Sequence, residues 1–330
     1  MDRRQFLAAA AVSPLAAHLA SSAKGLEQSS PNLSPLVVGN TIPNQALQTS
    51  CYDAGLTQDQ ADTKFCQIVS RGIGSSGDLH LAVTKKFWNP SDWDTSKNNL
   101  TNYASYGTQV IMALQPVLPG TSTDKTNLKN FLTTVTGRNF GFNAGNCYIV
   151  LWQEPEGVSK NISPTAFQNG LQYYGPTVAS FGLPLVADIG SSLGTSIISQ
   201  YGKAAIAAYQ AGCGLTGLAQ DLYCAAYTNQ GVRLDNLANI ADANTLRFGV
   251  FEHGCAPSQF TQAQCTTFMN HVRTFMQARQ QAFKPNLPVL YYDGQCSPTG
   301  MSDITSPIGQ DPSTPSPDFR IALFQQLWGA

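Results

Sequence analysis

Eight short β-prone runs recur along this chain at intervals of 30 to 43 residues from start to start, and this regularity limits its fold most. They fall at 36–38, 79–83, 110–114, 148–151, 185–187, 218–222, 248–251 and 289–292. Runs that are apolar at successive positions, rather than at every second one, suit strands buried on both faces, as in an all-parallel sheet. Helical signals fill the gaps. Thr57 with Gln60 and Thr261 with Gln264 fit a capping box. Ser163-Pro164 and Ser316-Pro317 place a cap residue before a first-turn proline. Phe167, Leu171, Tyr174 and Val178 fall on one helical face, as do Phe268, Val272, Phe275 and Met276. Strand and helix alternating eight times predict an α/β fold, a (β/α)8 TIM barrel, as a single domain over 36–330. An open doubly wound sheet would carry G-x-G-x-x-G directly after its first strand, and none follows the first run there; the Gly-Ser-Ser-Gly at 74–77, just before the second run, reads as a turn.

The N-terminus reads differently. Arg3-Arg4-Gln5-Phe6-Leu7 and an Ala-rich stretch after it resemble a twin-arginine export signal. Ser21-Ser22-Ala23 suggests cleavage after Ala23. Residues 1–23 are therefore expected to be a signal, 24–35 a Ser/Pro linker, and the protein secreted as a monomer. No later stretch is long and apolar enough to span a membrane. Charged residues make up only 12% and net charge is −1, which disfavours nucleic acid as a partner. Eight cysteines in an exported chain argue for disulfides, with Cys51–Cys66 and Cys255–Cys265 the preferred short loops.

Two of the runs end in a carboxylate. Leu151-Trp152-Gln153-Glu154-Pro155 closes the fourth run, and proline, with no N–H to donate, stops a ladder. Phe251-Glu252-His253-Gly254 closes the seventh. Strands four and seven stand across a barrel mouth from each other, and the carboxyl ends of the strands are where such folds place their chemistry. Two carboxyl groups so placed suit glycoside hydrolysis. In a chain this poor in charge, acids on apolar strands are costly unless used or hydrogen-bonded. Glu156, two residues on, is the alternative to Glu154.

The segment 151–155 resembles the Trp-Asn-Glu-Pro motif of the large clan of retaining β-glycosidases built on a (β/α)8 barrel, and 251–254 is similar to that clan's strand-seven motif. The resemblance implies that Glu154 is the acid/base and Glu252 the nucleophile. Tyr223, just past strand six, would then donate to the nucleophile. Gln153, Trp152, Tyr292, Trp88 and Asp221 would line the carbohydrate subsite, with Trp93, Asp188, Lys85 and Lys86 as weaker candidates. The clan has Asn where this chain has Gln153, one methylene longer. That departure keeps open a non-catalytic carbohydrate-binding barrel, and a hydrolase of another bond type using the same carboxylates. No metal or cofactor is expected: the chain has no C-x-x-C and no H-x-H after strand one. His253 is expected to hydrogen-bond beside Glu252.

Overall fold

A computed structural model of the chain describes residues 38–41, 83–88, 93, 109–157, 160–255 and 259–292. Eight strands run β1 Val38–Thr41, β2 Val83–Trp88, β3 Gln109–Leu114, β4 Cys147–Leu151, β5 Leu185–Ile189, β6 Leu215–Tyr223, β7 Arg247–Gly254 and β8 Asn286–Tyr292. All pair in parallel in chain order, and β8 pairs with β1, Val38 opposite Val289, so the sheet closes. Six helices lie among the described residues: α1 Ser122–Thr136, α2 Pro164–Ala179, α3 Thr195–Gln210, α4 Cys224–Gln230, α5 Asp235–Ala243 and α6 Gln262–Gln281. None is long and apolar enough to cross a membrane. The export signal, the linker, the Thr57 capping box, Cys51, Cys66 and Ser316-Pro317 lie outside the described residues.

Alternation along the strands sorts the core into two layers. Ile111, Ala113, Val150, Val186, Ala219, Phe251 and Leu290 fill the interior of the curled sheet. Val110, Met112, Leu114, Ile149, Leu151, Ala187 and Val289 face the helices instead. Both layers are dry, which is why the strand runs carry no polar alternation. The helices start where local chemistry predicts. Thr261 caps α6 through a complete capping box with Gln264, and Ser163 caps α2 ahead of Pro164. A second capping box, Thr121 with Asp124, opens α1. The faces behind the caps bury as spaced: Phe167, Leu171, Tyr174 and Val178 on α2, and Phe268, Val272 and Met276 on α6.

Strand boundaries differ from the sequence reading at two places that bear on the site. β4 stops at Leu151, because Trp152 and Glu154 take left-handed backbone angles (φ 54° and 46°) and 152–156 turn out of the ladder. β6 extends to Tyr223 and β7 to Gly254, paired in register at Tyr223 and Gly254. A register shift between Ala219 and Asp221 precedes that pairing and sets Asp221 opposite Glu252.

Of the two expected cysteine pairs, Cys255 and Cys265 lie among the described residues. Cys255 and Cys265 are both buried. The Cys255 thiol faces the Cys265 carbonyl at 3.8 Å, and Cys224 lies beside both thiols. Short separation in sequence did not foresee this third neighbour, which opens α4 directly after β6.

Two contacts outside the mouth carry much of the packing. The Arg279 guanidinium binds both carboxylate oxygens of Asp242 at 2.9 Å, reaches Asn286 Oδ1 at 3.2 Å, and lies over the Phe248 ring. It thereby ties α6 to α5 and β8. Arg279 is 5% exposed, so Asp242→Ala leaves a buried cation uncompensated and should cost about 3 kcal/mol in chemical denaturation. At Gly170 on α2, an added Cβ would run into the Trp152 ring, 2.7 Å from Cζ3, and come within 2.9 Å of Leu118. Gly170→Ala should therefore destabilise by about 1–3 kcal/mol, although alanine on an open helix face would stabilise by roughly 1 kcal/mol.

Candidate active site

The polar residues of this fold gather at the carboxyl ends of β4 to β7. Gln153, Glu156, Asp188, Ser191, Gln220, Asp221, Glu252 and His253 are all buried there, in a chain whose described core is otherwise almost wholly apolar. Buried polar groups persist only where something compensates them, so the hydrogen bonds around them define the site.

β4 supplies its residues through a constrained exit. The Trp152 N–H donates to the Leu114 carbonyl of β3 at 2.9 Å, and the Glu154 N–H donates to the Asp188 carbonyl of β5 at 3.0 Å. The chain is thus held from both neighbouring strands while two non-glycine residues sit at positive φ. Strain of this kind costs about 1–3 kcal/mol per residue and survives where surrounding structure over-determines it. Its effect is to turn consecutive side chains apart. Trp152 goes outward, its indole N–H donating to the Pro116 carbonyl at 2.7 Å and its rings edge-on to Phe167 and Tyr174. Trp152 is therefore a wedge between strand and helix, packed on the outer face of the sheet where the sequence reading had placed it at the mouth.

Gln153 goes the other way. Its amide nitrogen donates to Asp221 Oδ2 at 3.0 Å and to Glu252 Oε1 at 2.9 Å. One neutral side chain from β4 thereby joins two acids that β6 and β7 place opposite each other. The Tyr223 hydroxyl donates to the other oxygen of Glu252, Oε2. Glu252, 2% exposed, is thus fixed by a donor on each oxygen, one from β4 and one from β6. Both amide hydrogens of Gln153 point to carboxylates, so the residue positions Glu252. Lys160 donates to the Gln153 carbonyl oxygen and faces its Oε1 at 3.5 Å, fixing the orientation of the amide. Nothing in the sequence marked Lys160; it comes from the loop after β4.

Glu154 lies at the same rim, partly exposed. On β5, Val186 faces the barrel interior, so alternation turns Asp188 and the missing side chain of Gly190 inward too. The Glu154 carboxylate occupies that space, its Oε1 2.7 Å from where a Gly190 Cβ would stand. Glu156 Oε1 is closer still to the same point. The glycine is required because two carboxyl groups fill the volume a side chain would take. Burial, then the charge of Asp188, pushes Glu156 up to about 7, while N–H groups of Glu156 and Gly190 and the charge of Lys160 hold the rise in check.

Other candidates fall elsewhere. His253 is fully buried on the far side of β7, with Nδ1–H donating to the Leu290 carbonyl at 2.7 Å and its ring 6.4 Å from Phe268. Burial pushes its pKa down to about 4, so it is a neutral imidazole tying β7 to β8. Trp93 packs on Phe131 of α1, with ring centroids 5.8 Å apart. Trp88 ends β2 in register with Leu114, and Tyr292 ends β8 in register with Thr41. Both backbones therefore stand at the rim from which Gln153 and Glu154 emerge. Lys85 and Lys86 lie within β2. Among the described residues no cluster of His, Cys, Asp or Glu is arranged to hold a metal ion.

No protein-family model matches the chain, and no curated protein matches it. Solved structures do. A GH39 β-xylosidase from Caulobacter crescentus superposes with a TM-score of 0.54 at 10% identity, over 84% of this chain and 69% of that one. An active-site mutant of the Rhizomucor miehei β-1,3-glucanosyltransferase, in complex with laminaritriose, gives 0.51 at 11% identity over 83% and 96%. A GH10 endoxylanase from a sugarcane soil metagenome gives 0.51 at 9% identity over 84% and 94%. Identities this low speak to fold alone: the chain has a glycoside hydrolase-like fold.

Proposed function

We propose that this chain is an exported, retaining glycoside hydrolase that cleaves β-glycosidic bonds in a poly- or oligosaccharide, built on a complete (β/α)8 barrel behind an N-terminal signal and linker, and working as a monomer. The observation that carries the reading is the pair of donors on Glu252, Gln153 Nε2 at 2.9 Å and the Tyr223 hydroxyl, set beside a second glutamate that β4 delivers to the same rim. A buried carboxylate fastened at both oxygens cannot rotate freely. It is presented to an anomeric carbon in one orientation, which is what a nucleophile in double displacement needs.

In the first step Glu154 gives its proton to the glycosidic oxygen as Glu252 attacks the anomeric carbon. The leaving sugar departs and a glycosyl ester on Glu252 remains. Glu154, now a carboxylate, then takes a proton from water, whose oxygen displaces Glu252 and restores the enzyme. Tyr223 and Gln153 hold Glu252 ionised, since hydrogen bonds to the charged form favour it. Gln153 replaces the clan's Asn, and its extra methylene is taken up in reaching Asp221 as well as Glu252. The sugar's 2-hydroxyl would then meet the carboxylate side of this network rather than a vacant amide. Neighbouring folds named for xylan and β-1,3-glucan chemistry make those polymers the first substrates to try.

Glu252→Gln should lower kcat at least about a thousandfold, and Glu154→Gln by about 10²–10⁴-fold, with the smaller loss on substrates carrying an activated leaving group that needs no proton. Tyr223→Phe removes one charge-assisted hydrogen bond and should reduce kcat/KM about ten- to a hundredfold with little change in folding. A 2-fluoro glycoside should leave a single adduct on the peptide containing Glu252, read by mass. If full activity survives both glutamine substitutions, the reading is wrong. Saccharide binding with no turnover on any β-glucan, xylan, mannan or galactan would point instead to a non-catalytic carbohydrate-binding barrel.

A further inference from the structure

Glu156 is the buried acid of this rim that the two-glutamate scheme does not use. It is 4% exposed, and its carboxyl oxygens have no side-chain partner among the described residues; the N–H groups of Glu156 and Gly190 face them without reaching good hydrogen-bond geometry. A buried ionisable group left so is rare in a folded chain. Its position is equally specific: the Oε1 atoms of Glu154 and Glu156 converge on the one point that Gly190 leaves vacant. Two carboxylates that close repel each other, whereas a carboxyl and a carboxylate sharing a proton attract.

The groups around Glu156 bear on which form it takes. From β5, Asp188 brings negative charge; from the loop after β4, Lys160 brings positive charge. From α3, Tyr201 faces it, its hydroxyl donated to the Ile162 carbonyl and its pKa raised by burial and then by Glu156 itself. Glu154 completes the set. One cation against two carboxyl groups, in a buried place, favours Glu156 carrying a proton.

We infer that Glu156 is a positioning residue of the site: its carboxyl donates a hydrogen bond to Glu154 and the two share one proton, so that Glu156 sets the pH range over which Glu154 serves as acid and then as base. The inference rests on the reading of Glu154 as the acid/base. Through the cycle Glu156 keeps its proton. Glu154 gives its own to the leaving oxygen, stands as a carboxylate accepting from Glu156, and recovers a proton from water as the water oxygen bonds the anomeric carbon. Above the pH at which Glu156 ionises, its negative charge adjoins Glu154 and the arrangement is lost. The carboxyl contacts protein alone, so the effect belongs to kcat and its pH profile rather than to KM.

The experiment compares wild type with Glu156→Gln, which keeps shape but donates without titrating. On xylan or laminarin, the alkaline limb of kcat should move down by about one pH unit, with KM at the optimum unchanged. An unmoved limb, or a change in KM alone, overturns the inference. A readout independent of turnover is ¹³C NMR of carboxyl-labelled glutamate. In wild type, Glu154 and Glu156 should titrate together in two steps, and Glu154→Gln should shift the Glu156 step. A Glu156 signal that titrates in one step, indifferent to Glu154→Gln, also overturns it. Stability gives a third arm. A carboxyl whose folded pKa is raised binds its proton more tightly folded than unfolded, so wild-type Tm should fall as pH rises from about 4.5 to about 7, and Glu156→Gln should flatten that slope. If the titrations couple but no saccharide is turned over, the shared proton stands and the hydrolase reading falls. If turnover is found with uncoupled titrations, the reverse holds.

Discussion

One side-chain amide holds the mouth of this barrel together. Gln153 brings two hydrogens to two buried acids, Asp221 and Glu252, which strand pairing has set opposite each other. Without it, β6 and β7 would present adjacent carboxylates in a water-poor place, where like charges and lost hydration each cost several kcal/mol. With it, both charges are bridged through a neutral group fixed by Lys160. The Tyr223 hydroxyl holds the other oxygen of Glu252, so the two donors together fix the orientation of that carboxylate.

The bridge is possible because β4 ends as it does. A strand continuing regularly past Leu151 would turn Trp152 inward or Gln153 outward, depending on register. Left-handed angles at Trp152 and Glu154 break that alternation. Trp152 is pinned to Pro116 and to the aromatic face of α2, while Gln153 reaches across the mouth. Packing of a large indole in the outer layer thus supports backbone strain at the rim. Gly170 on one side and Gly190 on the other leave room for the ring and for the carboxyl groups respectively.

Much of the fold was legible in residue order. Six of the eight β-prone runs fall within described strands and the first two meet β1 and β2 at Val38 and Val83, the Thr261 and Ser163 caps open helices as spaced, and the apolar faces of α2 and α6 are the buried ones. The site was legible in outline, because carboxylates at the ends of apolar runs are conspicuous in a chain with 12% charged residues. The misreadings share a cause. Trp152 and His253 were read from their places beside the two glutamates and Trp93 from its place after strand two, but the direction of a side chain at a strand end depends on backbone angles that sequence does not display. Cys255 and Cys265 were paired for their short separation, whereas Cys224 meets them through strand register.

The sequence by itself determined that strands and helices would alternate, that the sheet would be dry on both faces, and that two glutamates would reach the same rim; these depend on local propensity and on period. Only the tertiary structure decided which groups touch. Gln153 and Glu252 are 99 residues apart, and their contact requires a closed sheet, a register shift in β6 and a left-handed turn after β4. No local pattern encodes that sum of small displacements. The stretch from Leu151 to Pro155 announced a carboxylate, and the barrel around it chose its partners.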